Sequence, residues 1–329
     1  MSALNLCLEV EEEELNQEFG GYKPRESASI LTRCLNLDAD LSVREAFLRL
    51  YAMLPERETQ ISYGDIRISW PELNLGGLLL DAARQIPYSH PAQAKLVKLV
   101  QNLGRCDRFT KPIGMPGYVF YDGMTEFKRE CHRIGGATWD TDTEAQQLVN
   151  ICAFQGRLAS TGFLNPRELM IWWMRDTLER PASSYAWSTL VMGSAVWIRY
   201  GGSFLFQTMV LDLEPEAEYY QVFETYELYD GPVFGLERWD FWQRRFAEIS
   251  TSEAYPVNDE ARRLAADAAD YMAALARTAR PSAINTGGRS QTQVQVTAAA
   301  DILHMNSHPW CHIPCYFLSV LPSAIRYNS

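Results

Sequence analysis

Four side chains near the C-terminus have the one spacing in this sequence that suggests a metal site. His304, His308, Cys311 and Cys315 follow one another closely, and imidazole and thiolate are the ligands that zinc prefers. Their spacing matches no zinc-finger pattern, however, and two prolines restrict the segment. The sequence therefore predicts no resident metal, with these four residues as weak candidates.

One asparagine and two arginines in apolar helical segments suggest a ligand pocket. Asn150 and Arg157 are seven residues apart and share one face of a predicted helix. Arg199 lies in the most apolar segment of the chain, where a charge needs an acidic partner, a helix C-terminus or a ligand. Either these groups line a polar pocket, or they are structural and pair with carboxylates.

The segment 231–246 combines aromatic and basic residues in what reads as a helix. Trp239, Trp242 and Phe246 follow the spacing of one buried face, so most of the aromatic rings belong to the core. Arg238 and Arg245 have two interpretations, a structural role or binding of a carboxylate or planar ligand against the rings. Together with the preceding group, the ligand-pocket candidates are Asn150, Arg157, Arg199, Arg238, Trp239, Trp242 and Arg245.

The sequence contains no recognisable catalytic set. Cys131 and His132 are neighbours on a predicted helix, so their side chains point apart and form a poor nucleophile–base pair. The paired glycines lack the pattern of a phosphate loop or dinucleotide site, and no cofactor is predicted. The pair Gly201-Gly202 indicates a helix stop or a close helix contact instead.

Composition excludes several classes of partner. The chain has 329 residues, with 30 basic and 41 acidic side chains and a net charge of −11. This balance argues against binding to nucleic acid phosphates or to anionic lipid surfaces. The seven cysteines are odd in number and scattered, and residues 1–10 carry no basic leader, so we expect a cytoplasmic protein. The apolar run 187–210 is predicted to be a buried central helix rather than a membrane span.

Helical periodicity dominates the chain, and the predicted fold class is all-α: a single multi-helical, bundle-like domain with a poorly ordered or weakly packed C-terminal tail. Helices are expected at 43–54, 73–83, 92–103, 127–133, 141–161, 166–178, 183–209, 236–250 and 258–278. Strand signals are weak, at 60–69 and 294–297, and the Pro- and Gly-rich residues 111–117 are predicted to be an irregular loop. We divide the chain into an N-terminal helical segment (1–60) that packs on the body, a main helical domain (61–279), and a polar linker with a tail (280–329).

Three passages together resemble a fungal family of uncharacterised helical proteins, a domain of unknown function. They are the helix 148–159, the small-residue and Trp-Ile segment 194–206, and the Trp-x-Phe-Trp-x-x-Arg-Phe motif at 239–246. The resemblance covers roughly residues 70–253. It implies a fungal source and an intracellular helical protein, and it implies no activity.

Two classes of function are consistent with these observations. The first is a helical module that binds a small apolar ligand or a protein partner, which needs no catalytic set. The alternative is an enzyme of the cyclase or isomerase type that acts on a hydrophobic metabolite in fungal secondary metabolism. Whether the protein is an enzyme, and which oligomeric state it has, stay open at this level.

The first prediction concerns the C-terminal cluster of histidines and cysteines. Because its spacing fits no closed tetrahedral site, we expect purified full-length protein to contain no more zinc than a chain that ends at Arg280. Metal analysis by mass spectrometry compares the two proteins. One equivalent of zinc in the full-length protein alone would overturn the prediction.

Overall fold

The computed structural model describes residues 6–8, 22–36, 40–54, 62–63, 66–67, 70–113, 120–134, 141–182, 187–211 and 223–279. Contacts between Cα atoms divide the chain into two units, Met1–Arg280 and Pro281–Ser329. The predicted tail, its weak strand signal at 294–297 and its four metal candidates all lie outside the described residues. The division into three segments stays a proposal.

The described residues confirm the all-α fold class. Ten helices are present: α1 (Pro24–Leu35), α2 (Val43–Met53), α3 (Trp70–Gln85), α4 (Ala92–Gly104), α5 (Thr125–Ile134), α6 (Asp142–Ser160), α7 (Arg167–Leu178), α8 (Trp187–Phe206), α9 (Leu236–Thr251) and α10 (Asp259–Ala279). A π-helical turn (Gln207–Leu211) extends α8. Two antiparallel hairpins complete the described elements: β1 (Ser62–Tyr63) with β2 (Ile66–Arg67), and β3 (Thr110–Ile113) with β4 (Phe120–Gly123).

Two of the helices begin with a capping box. The Ser42 hydroxyl accepts a hydrogen bond from the Glu45 amide at 3.2 Å, and the Glu45 carboxylate accepts one from the Ser42 amide at 2.9 Å. Thr141 and Glu144 make the same reciprocal pair at the start of α6. Each box satisfies backbone donors that the first helical turn leaves without partners, which fixes where the helix begins.

The first half of the described chain forms one hydrophobic core, here called the N-terminal core, with α3 and α4 at its centre. The apolar face of α4 is fully buried, and its residues are Ala92, Leu96, Leu99, Val100 and Leu103. Helices α1 and α2 add Leu31, Leu35 and Leu50, which are completely shielded from solvent. Burial of each large apolar side chain stabilises the fold by about 1.5–3 kcal/mol.

The second half forms a C-terminal core around α8, which packs against α6, α7 and α10. Trp173, Trp187 and Trp197 are almost completely buried there, as are Trp239 and Trp242 of α9. This confirms the prediction that the apolar run at 187–210 is a buried central helix. Among the described helices, none combines the length and the apolar character needed to cross a membrane.

Glycines allow α6 and α8 to approach closely. A Cβ atom placed on Gly201 would lie 3.1 Å from both the Cα and the carbonyl oxygen of Gly156. Helix α8 continues through Gly201 and Gly202 to Phe206, so the pair marks a close helix contact and not a helix stop. The small residues let α6 pack directly on the central helix.

The prediction of an irregular loop at 111–117 is wrong for its first three residues. Lys111, Pro112 and Ile113 belong to β3 and pair with Asp122, Tyr121 and Phe120 of β4. An edge strand tolerates proline because its missing N–H can face away from the neighbouring strand. Proline therefore marks an edge position here rather than the absence of regular structure.

The packing of α8 on α7 generates a stability prediction. A methyl group on Gly193 would lie 2.6 Å from Cζ3 of Trp173, whose ring is buried and cannot move aside. We expect Gly193→Ala to lower the free energy of unfolding by about 1–3 kcal/mol through overpacking. Urea denaturation followed by circular dichroism measures the change.

Gly77 provides the matched control, because it also lies inside a helix and a Cβ atom there would meet nothing within 4 Å. Gly77→Ala should raise the free energy of unfolding by about 0.5–1 kcal/mol through the better helix propensity of alanine. Equal effects of the two substitutions would show that the glycine at 193 has no packing role.

Candidate functional site

The seven ligand-pocket candidates separate into two groups instead of converging on one cavity. Asn150, Arg157 and Arg199 lie around Tyr88, in a set here called the Tyr88 cluster. The set consists of Tyr88, Asn150, Arg157, Arg199, Tyr200, Glu260, Arg263 and Asp267. Arg238, Trp242 and Arg245 lie at the C-terminal end of α7, around Glu179, and Trp239 points away toward α10.

Asn150 and Arg157 both bind the main chain of Tyr88. The Tyr88 amide donates to Oδ1 of Asn150 at 2.8 Å, and Nη2 of Arg157 donates to the Tyr88 carbonyl at 3.2 Å. The Asn150 amide group also donates to the carbonyl of Arg84 at 2.7 Å. The shared helical face of Asn150 and Arg157 is as predicted, and it fixes the turn between α3 and α4.

The Tyr88 side chain reaches from this turn to α10. Its hydroxyl donates to a carboxylate oxygen of Glu260 and accepts a hydrogen bond from Nη2 of Arg263 at 2.9 Å. Burial and the neighbouring Glu260 carboxylate together raise the pKa of Tyr88 to about 12. The hydrogen bond from Arg263 lowers the pKa of Glu260, so this carboxylate is ionised at neutral pH.

Arg157 is the one arginine of the cluster that is half-buried. Its guanidinium carbon lies 3.6 Å from the centre of the Tyr200 ring, a stacked cation–π contact. Burial lowers the pKa of Arg157, and the positive charge of Arg199 adds to that effect. In the described part of the chain, no carboxylate lies within ion-pair distance of Arg157, and its buried Nε has no hydrogen-bond acceptor.

The outer arginines of the cluster share their acidic partners. Arg199 and Arg263 each lie 3.2 Å from Oδ2 of Asp267, and Arg263 also binds Glu260 at 2.8 Å. Three arginines thus face two carboxylates, which leaves one positive charge without a partner inside the cluster. Arg199 is 43% exposed, so the cluster opens to solvent.

Arg238 has the opposite environment, because it is fully buried and completely hydrogen-bonded. Its Nε and Nη2 form a bidentate pair with Glu179 at 2.7 and 2.9 Å. The remaining N–H groups donate to the carbonyls of Phe223, Val233 and Glu224. All five guanidinium donors are used, so Arg238 has none left for a ligand.

Glu179 accepts hydrogen bonds from three residues, two on α9 and one in the segment before it. Besides Arg238, the indole Nε1 of Trp242 donates to it at 2.7 Å and the amide of Tyr226 donates at 3.1 Å. The side chains of Glu179 and Arg238 both have 0% exposure. A buried ion pair is retained only when its hydrogen bonds are this complete, since desolvation of the charges costs several kcal/mol.

The last two candidates, Trp239 and Arg245, donate hydrogen bonds to main-chain carbonyl groups of neighbouring helices. Trp239 donates from Nε1 to the carbonyl of Met272 at 3.2 Å, and its ring is edge-on to Phe206. Arg245 donates from Nε to the carbonyl of Leu178 at the last turn of α7, where a cation is favoured by the helix dipole. Ligand binding by the seven residues stays a prediction, and of the four arginines only Arg157 has no carboxylate partner among the described residues.

The structure adds three site residues that no sequence pattern marks, namely Tyr88, Glu179 and Glu260. Tyr88 and Glu260 are 172 positions apart in the chain, and Glu179 and Arg238 are 59 apart. Pairs at such separations follow no local pattern, so only the fold brings them together. Among the described residues, no acidic, histidine and cysteine side chains group together in a way that could hold a metal ion.

Comparison with known proteins gives one family match. Residues 77–246 match the model of a family described as a protein of unknown function, DUF3632. The three passages at 148–159, 194–206 and 239–246 all lie within the matched residues. Among curated proteins and solved structures, none matches the chain.

The buried Glu179 carboxylate generates a second stability prediction. Glu179→Gln keeps the shape of the side chain but leaves the Arg238 guanidinium buried without a counter-charge. We expect the free energy of unfolding to fall by about 3–5 kcal/mol. Chemical denaturation monitored by tryptophan fluorescence provides the measurement.

The control is the exposed ion pair between Asp81 and Arg84, whose side chains are 40% and 36% exposed. Asp81→Asn should change the free energy of unfolding by no more than about 1 kcal/mol, because solvent screens the pair. If Glu179→Gln were as mild as this control, the buried pair would contribute little to the fold.

Proposed function

The chain belongs to the DUF3632 family of proteins of unknown function, and from its structure we propose that it is a helical module that binds an anionic ligand or partner at the Tyr88 cluster. The group recognised is a carboxylate or phosphate, carried by a small molecule or by a partner protein. The binding centre is Arg157.

One observation carries this proposal. Arg157 holds a positive charge in a half-buried position, stacked on Tyr200, with no carboxylate within ion-pair distance among the described residues. Removing a charge from water without a counter-charge is unfavourable. An incoming carboxylate or phosphate would neutralise it and could form the paired hydrogen bonds that a guanidinium offers.

The surroundings of Arg157 favour an anion on an open surface. Arg199 and Arg263 lie beside it with side chains that are 43% and 51% exposed, and Glu260 and Asp267 neutralise their charges, so the charge of Arg157 is the one left over. The Tyr200 ring offers an apolar face beside the charge, which suits an anion that carries an apolar or aromatic group. The site therefore accepts both the small apolar ligand and the protein partner expected from the sequence, provided that each carries a negative group.

The remaining expectations from the sequence are part of this proposal. They are a fungal source, a cytoplasmic location and no binding to nucleic acid, the last supported by the net charge of −11. The enzyme alternative, a cyclase or isomerase acting on a hydrophobic metabolite, stays a prediction.

The proposal is tested with benzoate and inorganic phosphate as probes in thermal unfolding of the full-length protein. For a site of about 1 mM affinity, 10 mM probe adds roughly 1.4 kcal/mol of stability, which raises Tm by about 2 °C in a protein of this size. Arg157→Gln should abolish the increase because it removes the central charge.

Arg44→Gln is the matched control, since Arg44 is an exposed arginine on α2 outside the Tyr88 cluster. Its response to both probes should equal that of the wild type. An identical rise in Tm for wild type and Arg157→Gln would place anion binding elsewhere, and the absence of any rise with either probe would contradict an anion site at Arg157.

A further inference from the structure

The charged side chains of the Tyr88 cluster have a surplus of one positive charge. Three arginines and two carboxylates are present among its described residues, and they are Arg157, Arg199, Arg263, Glu260 and Asp267. The Tyr88 hydroxyl adds no charge, because burial and the neighbouring Glu260 carboxylate raise its pKa to about 12. One negative charge on a ligand is therefore enough to neutralise the cluster.

The two carboxylates of the cluster repel any further negative charge. Asp267 lies 3.2 Å from both Arg199 and Arg263, and Glu260 lies 2.8 Å from the latter. Arg199 and the central guanidinium lie over the same Tyr200 ring, so Asp267 is only one side chain removed from the binding centre. The net charge of −11 contributes a field of the same sign. An anion with two charges would thus bring one unpaired negative charge close to these carboxylates.

Carboxylates and phosphates differ in this respect. A single carboxylate carries one negative charge above its pKa, whereas a phosphate monoester carries about 1.5 to 2 negative charges at neutral pH. Both groups can accept paired hydrogen bonds from a guanidinium. Hydrogen bonding therefore does not discriminate between them at Arg157, and the charge of the ligand does.

We propose that the ligand of the Tyr88 cluster is a monocarboxylate and that the cluster discriminates against phosphates. The inference rests on the proposed function, because it requires an anion at Arg157. One carboxylate makes the half-buried site neutral, and the Tyr200 ring offers an apolar face to the rest of the ligand. Specificity against phosphate comes from repulsion by Glu260 and Asp267, which is a common means of excluding a wrong ligand.

Three probes with the same phenyl ring separate the effect of charge from that of shape. Benzoate and benzenesulfonate carry one charge, whereas phenyl phosphate carries nearly two at about pH 7.5. Ligand-observed NMR titration of the full-length protein gives the three dissociation constants. We expect benzoate to bind about tenfold tighter than phenyl phosphate, or more, because the surplus charge is repelled. Benzenesulfonate should bind within about threefold of benzoate, since its charge is the same.

A charge variant tests the same cause from the side of the protein. Asp267→Asn removes one of the two repelling charges and leaves the central guanidinium unchanged. A doubly charged anion gains twice as much from this removal as a singly charged one, so the preference for benzoate over phenyl phosphate should fall by about threefold or more. Asp40→Asn is the matched control, because Asp40 is an exposed carboxylate paired with Arg33 of α1, outside the cluster. Its preference should equal that of the wild type.

The outcomes distinguish failure of this inference from failure of the proposed function. Equal affinities for benzoate and phenyl phosphate, both lost in Arg157→Gln, would overturn the monocarboxylate inference and leave anion binding at Arg157 intact. Benzenesulfonate that binds as weakly as phenyl phosphate would also overturn it, because selection would then follow the shape of the anionic group and not its charge. Absence of binding by all three probes would contradict the anion site itself and the inference with it.

Discussion

Glu179 and Arg238 form an ion pair from which solvent is excluded, and the geometry of the C-terminal half depends on it. Each charge gives up its hydration, so the pair is stable only when every donor and acceptor is matched. The match requires the end of α7, the residues around Phe223 and Val233, and the start of α9 to hold one arrangement. The pair thereby selects a single packing for three segments that apolar contacts alone would hold less specifically.

Tyr88 makes the corresponding connection between the two halves of the described fold. Its main chain is held by α6 at the turn between α3 and α4, and its hydroxyl is bound by α10. Helix α6 itself contributes Phe154 and Leu158 to the N-terminal core and Val149 and Cys152 to the C-terminal core. An anion bound at Arg157 would therefore act at the joint between the two cores.

The Tyr88 cluster offers an unneutralised charge beside an aromatic ring, so its selectivity depends on the charge of the ligand and its strength on ionic conditions. Such a surface suits a binding module and requires no catalytic group.

Sequence alone predicts the fold class and most helices, because apolar periodicity and caps such as Ser42 and Thr141 are local signals. It did not mark α1, which begins at Pro24 without a side-chain cap, and it misread Pro112. It also identified Asn150, Arg157 and Arg238 as residues with unusual constraints. The fold brings these residues to their partners, which are Tyr88 for the first two and Glu179 for the third. Burial, charge neutralisation and hydrogen bonding depend on residues distant in sequence, whereas helix formation depends on neighbours in the chain.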